Sequence, residues 1–140
     1  GDQQGNHHIP LIIHAPKFIK PERRDQPISQ IDAVPTLLSL LHFKYTGQFY
    51  GMNALDPGYV SRLFLSNYQK LAYVKGNETV IMRPVRGVHF YRDGRQIGSA
   101  AAAKPQDRVK APDASLQQVL DEGISYYQHS ARWREFLKEE

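Results

Sequence analysis

The chain has 140 residues, about one domain's worth, and 41% of them are hydrophobic, enough for a modest core. It contains no Cys, which excludes a disulfide scaffold, a Cys-ligated zinc or iron–sulfur site and a cysteine nucleophile within these residues. Eighteen basic against 14 acidic residues give a net charge of +4 and a sequence pI near 9.4. That balance suits anionic partners such as phosphate, sulfate or lipid headgroups. A nucleic-acid partner is not expected, because the basic residues are scattered rather than set in a dense stripe with interleaved aromatics. The one cluster, Lys17, Lys20, Arg23 and Arg24, reads as a solvated loop. No apolar run approaches eighteen residues, so the segment is not expected to span a membrane or to carry a signal peptide. The opening Gly1-Asp2-Gln3-Gln4-Gly5 has no Met and reads as a piece of something longer, or as a residual tag glycine.

The first predicted element is a buried strand over Ile9–Ile13, apolar, rich in β-branched residues and closed by Ala15-Pro16. Pro10 confines it to a strand start or an edge. A strand apolar on both faces suits a sheet covered on both sides, as in α/β proteins. With only one short helix to cover it, this strand is expected to pair at an edge with a second copy or to be covered by rearranged local structure.

After a proline-bracketed loop comes a helix over 32–41. Asp32 is expected to be its N-cap and Pro35 falls in its first turn, where no intrahelical bond is lost. Val34, Leu37, Leu38 and Leu41 follow the spacing of one buried face. A loop with aromatic anchors then runs to Pro57. Short strands are predicted at Ser61–Leu65, Lys70–Lys75, Thr79–Arg83 and Val88–Tyr91. Gly76-Asn77 marks a hairpin whose turn Glu78 is expected to lengthen, and Asp93-Gly94 marks a further turn. Together these give an antiparallel meander. Residues 99–112, Ala-rich and then charged, read as an exposed linker. Asp113 or Ser115 is expected to cap a final helix to about Leu137, with a stripe of Leu116, Val119, Leu120, Ile124, Tyr127 and Ala131. Gly123 weakens that helix by about 1 kcal/mol relative to Ala. Trp133, Phe136 and Leu137 give its end an apolar surface, for core packing or a partner.

Six histidines are candidates for chemistry. His7 and His8 directly precede the predicted strand, near where α/β sheets gather functional groups, and are open to two readings: contact with a metal or oxyanion, or an ordinary loop. His14 reads equally as a packed residue, and His42, His89 and His129 read as structural. There is no triad, no P-loop and no dinucleotide-binding turn. His7 and His8 are adjacent rather than four apart on a helix, as a zincin pair would be. No complete catalytic constellation can be assembled, and Asp2 alone reads as a solvated carboxylate.

Two stretches in order, His8-Ile-Pro-Leu-Ile-Ile-His-Ala-Pro16 and Ser29-Gln-Ile-Asp-Ala-Val-Pro-Thr-Leu-Leu-Ser-Leu-Leu41, carry a resemblance. They resemble the sulfatase branch of the alkaline phosphatase superfamily, above all its lipoteichoic acid synthase and phosphoglycerol transferase group. There a strand of the form (H/R)-(I/V)-P-apolar precedes S-x-(I/V)-D-x-x-P-T-L-L-x-L and then G-x-(D/N)-(A/L)-L. The last is matched by Gly51-Met-Asn-Ala-Leu55, with Asn53 where Asp is usual. The resemblance covers residues 8–55 well and the remainder in outline.

It implies a fragment of an alkaline-phosphatase-like α/β sandwich: residues 1–57 the end of the main α/β core, 58–98 a small antiparallel sheet, 99–112 a linker and 113–140 a C-terminal helix. It implies a parent enzyme that hydrolyses or transfers phosphate or sulfate esters, with phosphoglycerol-type lipid headgroups favoured. The parent would use a Thr, Ser or formylglycine nucleophile and a divalent metal (Mn, Mg, Ca or Zn), and work at the periplasmic or extracellular face of a bacterial membrane. The family's D-H-G metal motif is missing, although Gly1-Asp2 could be the tail of one. The segment alone is therefore expected to be inactive, with no catalytic residue of its own and no metal expected on it in isolation. By carry-over His8 matches a substrate-binding position at the active-site rim, holding anionic oxygens or a second metal, and His7 is the weaker choice. The alternative function is a non-catalytic basic binding or interaction module.

Overall fold

The computed structural model describes residues 8–44, 46, 47, 49–104 and 107–136. Helix α1 spans Ala33–Leu40, led in by a single 3-10 turn at Gln30–Asp32. Five strands follow: β1 Arg62–Asn67, β2 Lys70–Lys75, β3 Glu78–Met82, β4 Gly87–Arg92 and β5 Arg95–Ala101. They form one antiparallel sheet in the order β1-β2-β3-β4-β5. Helix α2, Ala114–Phe136, lies over one face of it, chiefly on β2 and β3. The mixed α/β composition with an antiparallel sheet and a C-terminal helix is the expected one.

Local chemistry explains the sheet. Gly76 (φ 60°) opens the two-residue β2–β3 turn, and Asp93 (φ 51°) and Gly94 (φ 73°) form the β4–β5 turn. Both are residue choices that two-residue hairpins favour. Glu78 does not lengthen its turn, as expected above, but pairs with Lys75 as the first residue of β3. Its carboxylate accepts from Arg92 Nη2 at 2.5 Å and from the Ser115 hydroxyl at 2.8 Å, which holds it in the strand. Period-two alternation sends Tyr73, Val80, Val88 and Phe90 to one face, where they pack on Leu116, Val119 and Leu120 of α2.

A polar row closes the end of this face. Lys75, Glu78 and Arg92 are cross-strand neighbours. Lys75 Nζ reaches Glu122 at 2.7 Å and Arg92 reaches Asp113 at 2.9 Å. Burial opposes ionisation of Glu122, but Lys75 and the Tyr73 hydroxyl together hold its pKa below the usual carboxylate range. Asp113 is the N-cap of α2, accepting from Leu116 N at 3.0 Å. The Tyr127 hydroxyl, pushed up to about 12 by burial, donates to Leu65 O and Ala72 O and pins the helix to β1 and β2.

Four expectations are corrected. Residues 9–13 form no strand: Ile9, Leu11, Ile12 and Ile13 are exposed, Ile12 by 83%, and no described strand lies beside them to pair with. With Pro10 lacking a donor and no described strand or helix covering it, the segment has no ladder to join among the described residues. The Val34, Leu37 and Leu41 stripe of α1 faces solvent, Leu38 is half-buried, and the buried residues of α1 are Pro35 and Thr36. The reason is that α1 is held through polar groups rather than through a sheet packed on its leucines. Residues 99–101 belong to β5 rather than to a linker, and Val109 and Ala111 pack on the core. Asp32 is not a side-chain N-cap of α1. The apolar end expected from Trp133, Phe136 and Leu137 lies outside the described side chains.

Gly123 has a reason that propensity does not show. A Cβ there would sit 2.9 Å from Tyr73 Cβ, so the glycine lets α2 press onto the fully buried Tyr73. Alanine gains about 1 kcal/mol in helix propensity, but overpacking against an atom so close to the backbone costs about 1–3 kcal/mol. Gly123→Ala is therefore expected to lower the melting temperature. A thermal melt showing a rise would mean that helix and sheet separate freely at this point.

Candidate functional site

The most organised polar cluster is built on Asp32, which has no solvent exposure. Its Oδ1 accepts from Met52 N at 2.8 Å and from Arg62 Nη2 at 3.3 Å. Its Oδ2 accepts from the Tyr59 hydroxyl at 2.7 Å and from Ser29 N at 3.1 Å. The Ser29 contact is a carboxylate reaching back three residues, as in half of a capping box. That is the physical reason it is not the N-cap of α1: both oxygens are turned away from the helix, toward the loop and β1. Burial, and then the bond to Asp32, raise the Tyr59 hydroxyl far above its ordinary pKa, so it remains a donor.

Thr36, one turn on, donates its hydroxyl to Asp32 O at 2.6 Å and accepts from Ala54 N at 2.9 Å. Asn53 Nδ2 adds a bond to Ser39 Oγ at 3.0 Å. The 51–55 loop thus lies against the start of α1. Gly51 is required there, since a Cβ would fall 1.8 Å from Ile31 O.

Arg62, the first residue of β1, carries the cluster to α2. Its Nη2 also donates to Tyr50 O at 2.6 Å, and its guanidinium lies 5.9 Å from the Phe64 ring and 5.8 Å from the Tyr126 ring. Its Nε and Nη1 are buried with no hydrogen-bond partner among the described residues. Tyr50 and His129 meet edge-on, the Tyr50 hydroxyl 3.0 Å from His129 Nδ1. They stand in the wall of an open groove of about 730 Å³ along α2, with Gln118, Glu122, Ser125 and Tyr126.

The histidines expected to act are not in this cluster. His7 lies outside the described residues. His8 begins them, exposed, and His14 is exposed as well. His89 is half-buried on β4 with Nδ1 unpartnered among the described residues. No group of three or more His, Cys, Asp or Glu that could hold a metal ion occurs among the described residues. No described helix is long and apolar enough to cross a membrane.

Sequence reading missed Tyr50, Tyr59 and Arg62. Nothing in their spacing announces that residues 50–62 converge on position 32. The only hint was Gly51, invisible as a requirement until the Ile31 carbonyl is placed. Comparison with protein-family models, with curated proteins and with solved structures gives no match.

Removing the carboxylate would strand Arg62 beside Tyr59, Met52 N and Ser29 N. Asp32→Ala is therefore expected to cost about 3–5 kcal/mol, the range for breaking a buried ion pair from one side, rather than the 0.5–2 kcal/mol of a lost cap. Urea unfolding checks it, and a loss under about 1 kcal/mol would mean the cluster is solvated.

Proposed function

We propose that the chain is the C-terminal segment of a metal-dependent enzyme that hydrolyses or transfers phosphate or sulfate esters, with phosphoglycerol-type headgroups the preferred substrates. The observation that carries this reading is the tie between the two later stretches of the sulfatase-like pattern. Asp32 and Thr36 of the first bond to Met52 N and Ala54 N of the second, and Gly51 is the residue that lets the chains approach. Asp32, Thr36 and Gly51 each have a physical task in holding these two stretches together.

A second observation supports it. The exposed apolar residues are concentrated in the motif-bearing part: Ile9, Leu11, Ile12, Val34, Leu37 and Leu41 all face solvent. Exposed apolar residues in such number fit a segment that packs on further structure. In this reading the nucleophile and the principal metal ligands come from outside these 140 residues. His8 contributes by donating a hydrogen bond to the ester's anionic oxygens as charge develops. The second reading, a non-catalytic binding module, is favoured by the sheet and α2, which have a core of their own.

The test has two arms. The 140-residue chain is expected to turn over neither phosphate nor sulfate esters, with or without Mn, Mg, Ca or Zn ions. In the full-length parent, His8→Ala is expected to leave the melting temperature unchanged and lower kcat by about 10²–10³, the usual loss for one oxyanion donor. Ester turnover by the isolated chain, or a His8→Ala parent with normal kcat, would overturn the assignment.

A further inference from the structure

The sheet has two edges, and they differ. The β1 edge is engaged. Arg62 is buried, the Ser61 hydroxyl just before it donates to Pro27 O at 2.6 Å, and the Tyr127 hydroxyl reaches Leu65 O at 3.2 Å. The β5 edge is open. Ala102 N bonds to Arg86 O at 3.4 Å, two residues beyond the pairing of Ala100 with Val88. The backbone groups of an antiparallel strand turn alternately to one neighbour and then to the other. Ala100 and Ala102 therefore face β4, and Ser99 and Ala101 face outward. Both of these are exposed, and among the described residues nothing bonds to their N–H or C=O groups. Sheet edges are ordinarily blunted by charge, proline, a bulge or a cover. Here the register shift lies opposite Phe90 and Tyr91, toward the start of β5, and Gly98-Ser99-Ala100-Ala101 beyond it carries neither charge nor proline.

The same chain exposes a segment suited to that edge. Ile9, Leu11, Ile12 and Ile13 all face solvent, in a stretch with the composition of a strand. Pro10 fixes how the stretch can pair. Having no N–H, a proline in an edge strand is placed where that group would point away from the sheet. Pro10 and Ile12 then turn outward, and the backbone groups of Ile9, Leu11 and Ile13 turn inward, toward Ser99 and Ala101. Residues directly opposite in a ladder share a face. Ser99 and Ala101 pair with His89 and Gly87, on the face away from α2. Ile9, Leu11 and Ile13 fall on that face, beside side chains small enough to leave them room. Ile12 falls on the other face, where Pro112 packs on Gly98.

We propose that residues 9–13 add as a sixth strand to the β5 edge of a second copy, and that the partner returns the same contact, closing a two-fold dimer by exchange of arms. The acceptor is a second copy because the arm joins the body at Pro27, beside the head of β1, at the edge of the sheet farthest from its own β5. In the single chain the arm stays exposed. The exchange does not rest on the ester reading: a monomer would leave that assignment standing, and an inactive parent would leave the dimer standing.

Sedimentation equilibrium of the 140-residue chain tests it. A dimer of two 16.0 kDa chains is expected, with amide exchange at Ser99 and Ala101 slowing as protein concentration rises. Leu11→Asp, in the exposed arm, should weaken the dimer at least about a hundredfold, since both contacts of the pair carry the change. Ser99→Pro should abolish it without removing a bond to β4, because the lost N–H faces outward. Pro10→Ala and Phe18→Ser should leave it unchanged, the first because its N–H would face solvent, the second because Phe18, 90% exposed, lies outside the added strand. A monomer at every concentration, open-ended polymers, slow exchange at Ser99 and Ala101 in a monomer, a dimer that survives Leu11→Asp or Ser99→Pro, or equal loss with Phe18→Ser would each overturn the exchange.

Discussion

Four donors converge on the carboxylate of Asp32, and the lower-numbered part of the fold is organised by that convergence. Taking the charge out of water costs several kcal/mol, which only a full set of partners offsets. The set is drawn from Ser29, Met52, Tyr59 and Arg62, so the segment from 29 to 62 is closed on itself by one side chain. Because Arg62 is also the first residue of β1, the same carboxylate couples this segment to the sheet. From Arg62 the connection continues through the Tyr126 ring to α2. A polar centre therefore does for residues 29–62 what the Tyr73, Phe90 and Leu120 core does for the sheet and α2.

The two devices respond differently to change. The apolar core tolerates exchange of similar volumes, since its attraction is non-directional. The Asp32 centre depends on direction: a donor moved by an ångström leaves both itself and an oxygen unsatisfied in a dry place. The bonds at 2.7 and 2.8 Å to Tyr59 and Met52 are the tight ones, while the Arg62 contact at 3.3 Å is looser. The hydrogen bonds, more than the ion pair, define the geometry. Arg62 in turn keeps two guanidinium nitrogens, Nε and Nη1, unpaired among the described residues, with the Phe64 and Tyr126 rings nearby.

The meander was legible because its signals are local. Gly76-Asn77 and Asp93-Gly94 place turns, alternation places faces, and four of the five strands follow from these alone. The fifth was masked by its Gly98-Ser99-Ala100-Ala101 sequence, which has weak strand propensity and is held by pairing to β4. Residues 9–13 failed in the opposite sense. Their composition is that of a buried strand, but a strand needs neighbours, and the described chain supplies none. The stripe on α1 was found correctly as a stripe, yet its burial depends on what lies beside it. Asp32 was recognised as a helix-start residue. Its partners at 52, 59 and 62 were beyond reach, because no periodicity links positions 20 to 30 apart. The tie between its motif and Gly51–Leu55 became visible only as hydrogen bonds.

Strand order in the sheet is strictly sequential, and the longest connection between paired strands is the four residues 83–86. Each strand meets its partner across a short loop, so little chain entropy is spent on any single closure. Such a sheet can assemble hairpin by hairpin, on the fast side for β structure, because its contacts are near in sequence. The Asp32 cluster has the opposite character, since apart from the local Ser29 bond its partners at Met52, Tyr59 and Arg62 come from far along the chain. Assembly order is then built into the topology: the meander with α2 supplies a platform early, and the carboxylate closes its loop onto Arg62 once β1 is in place.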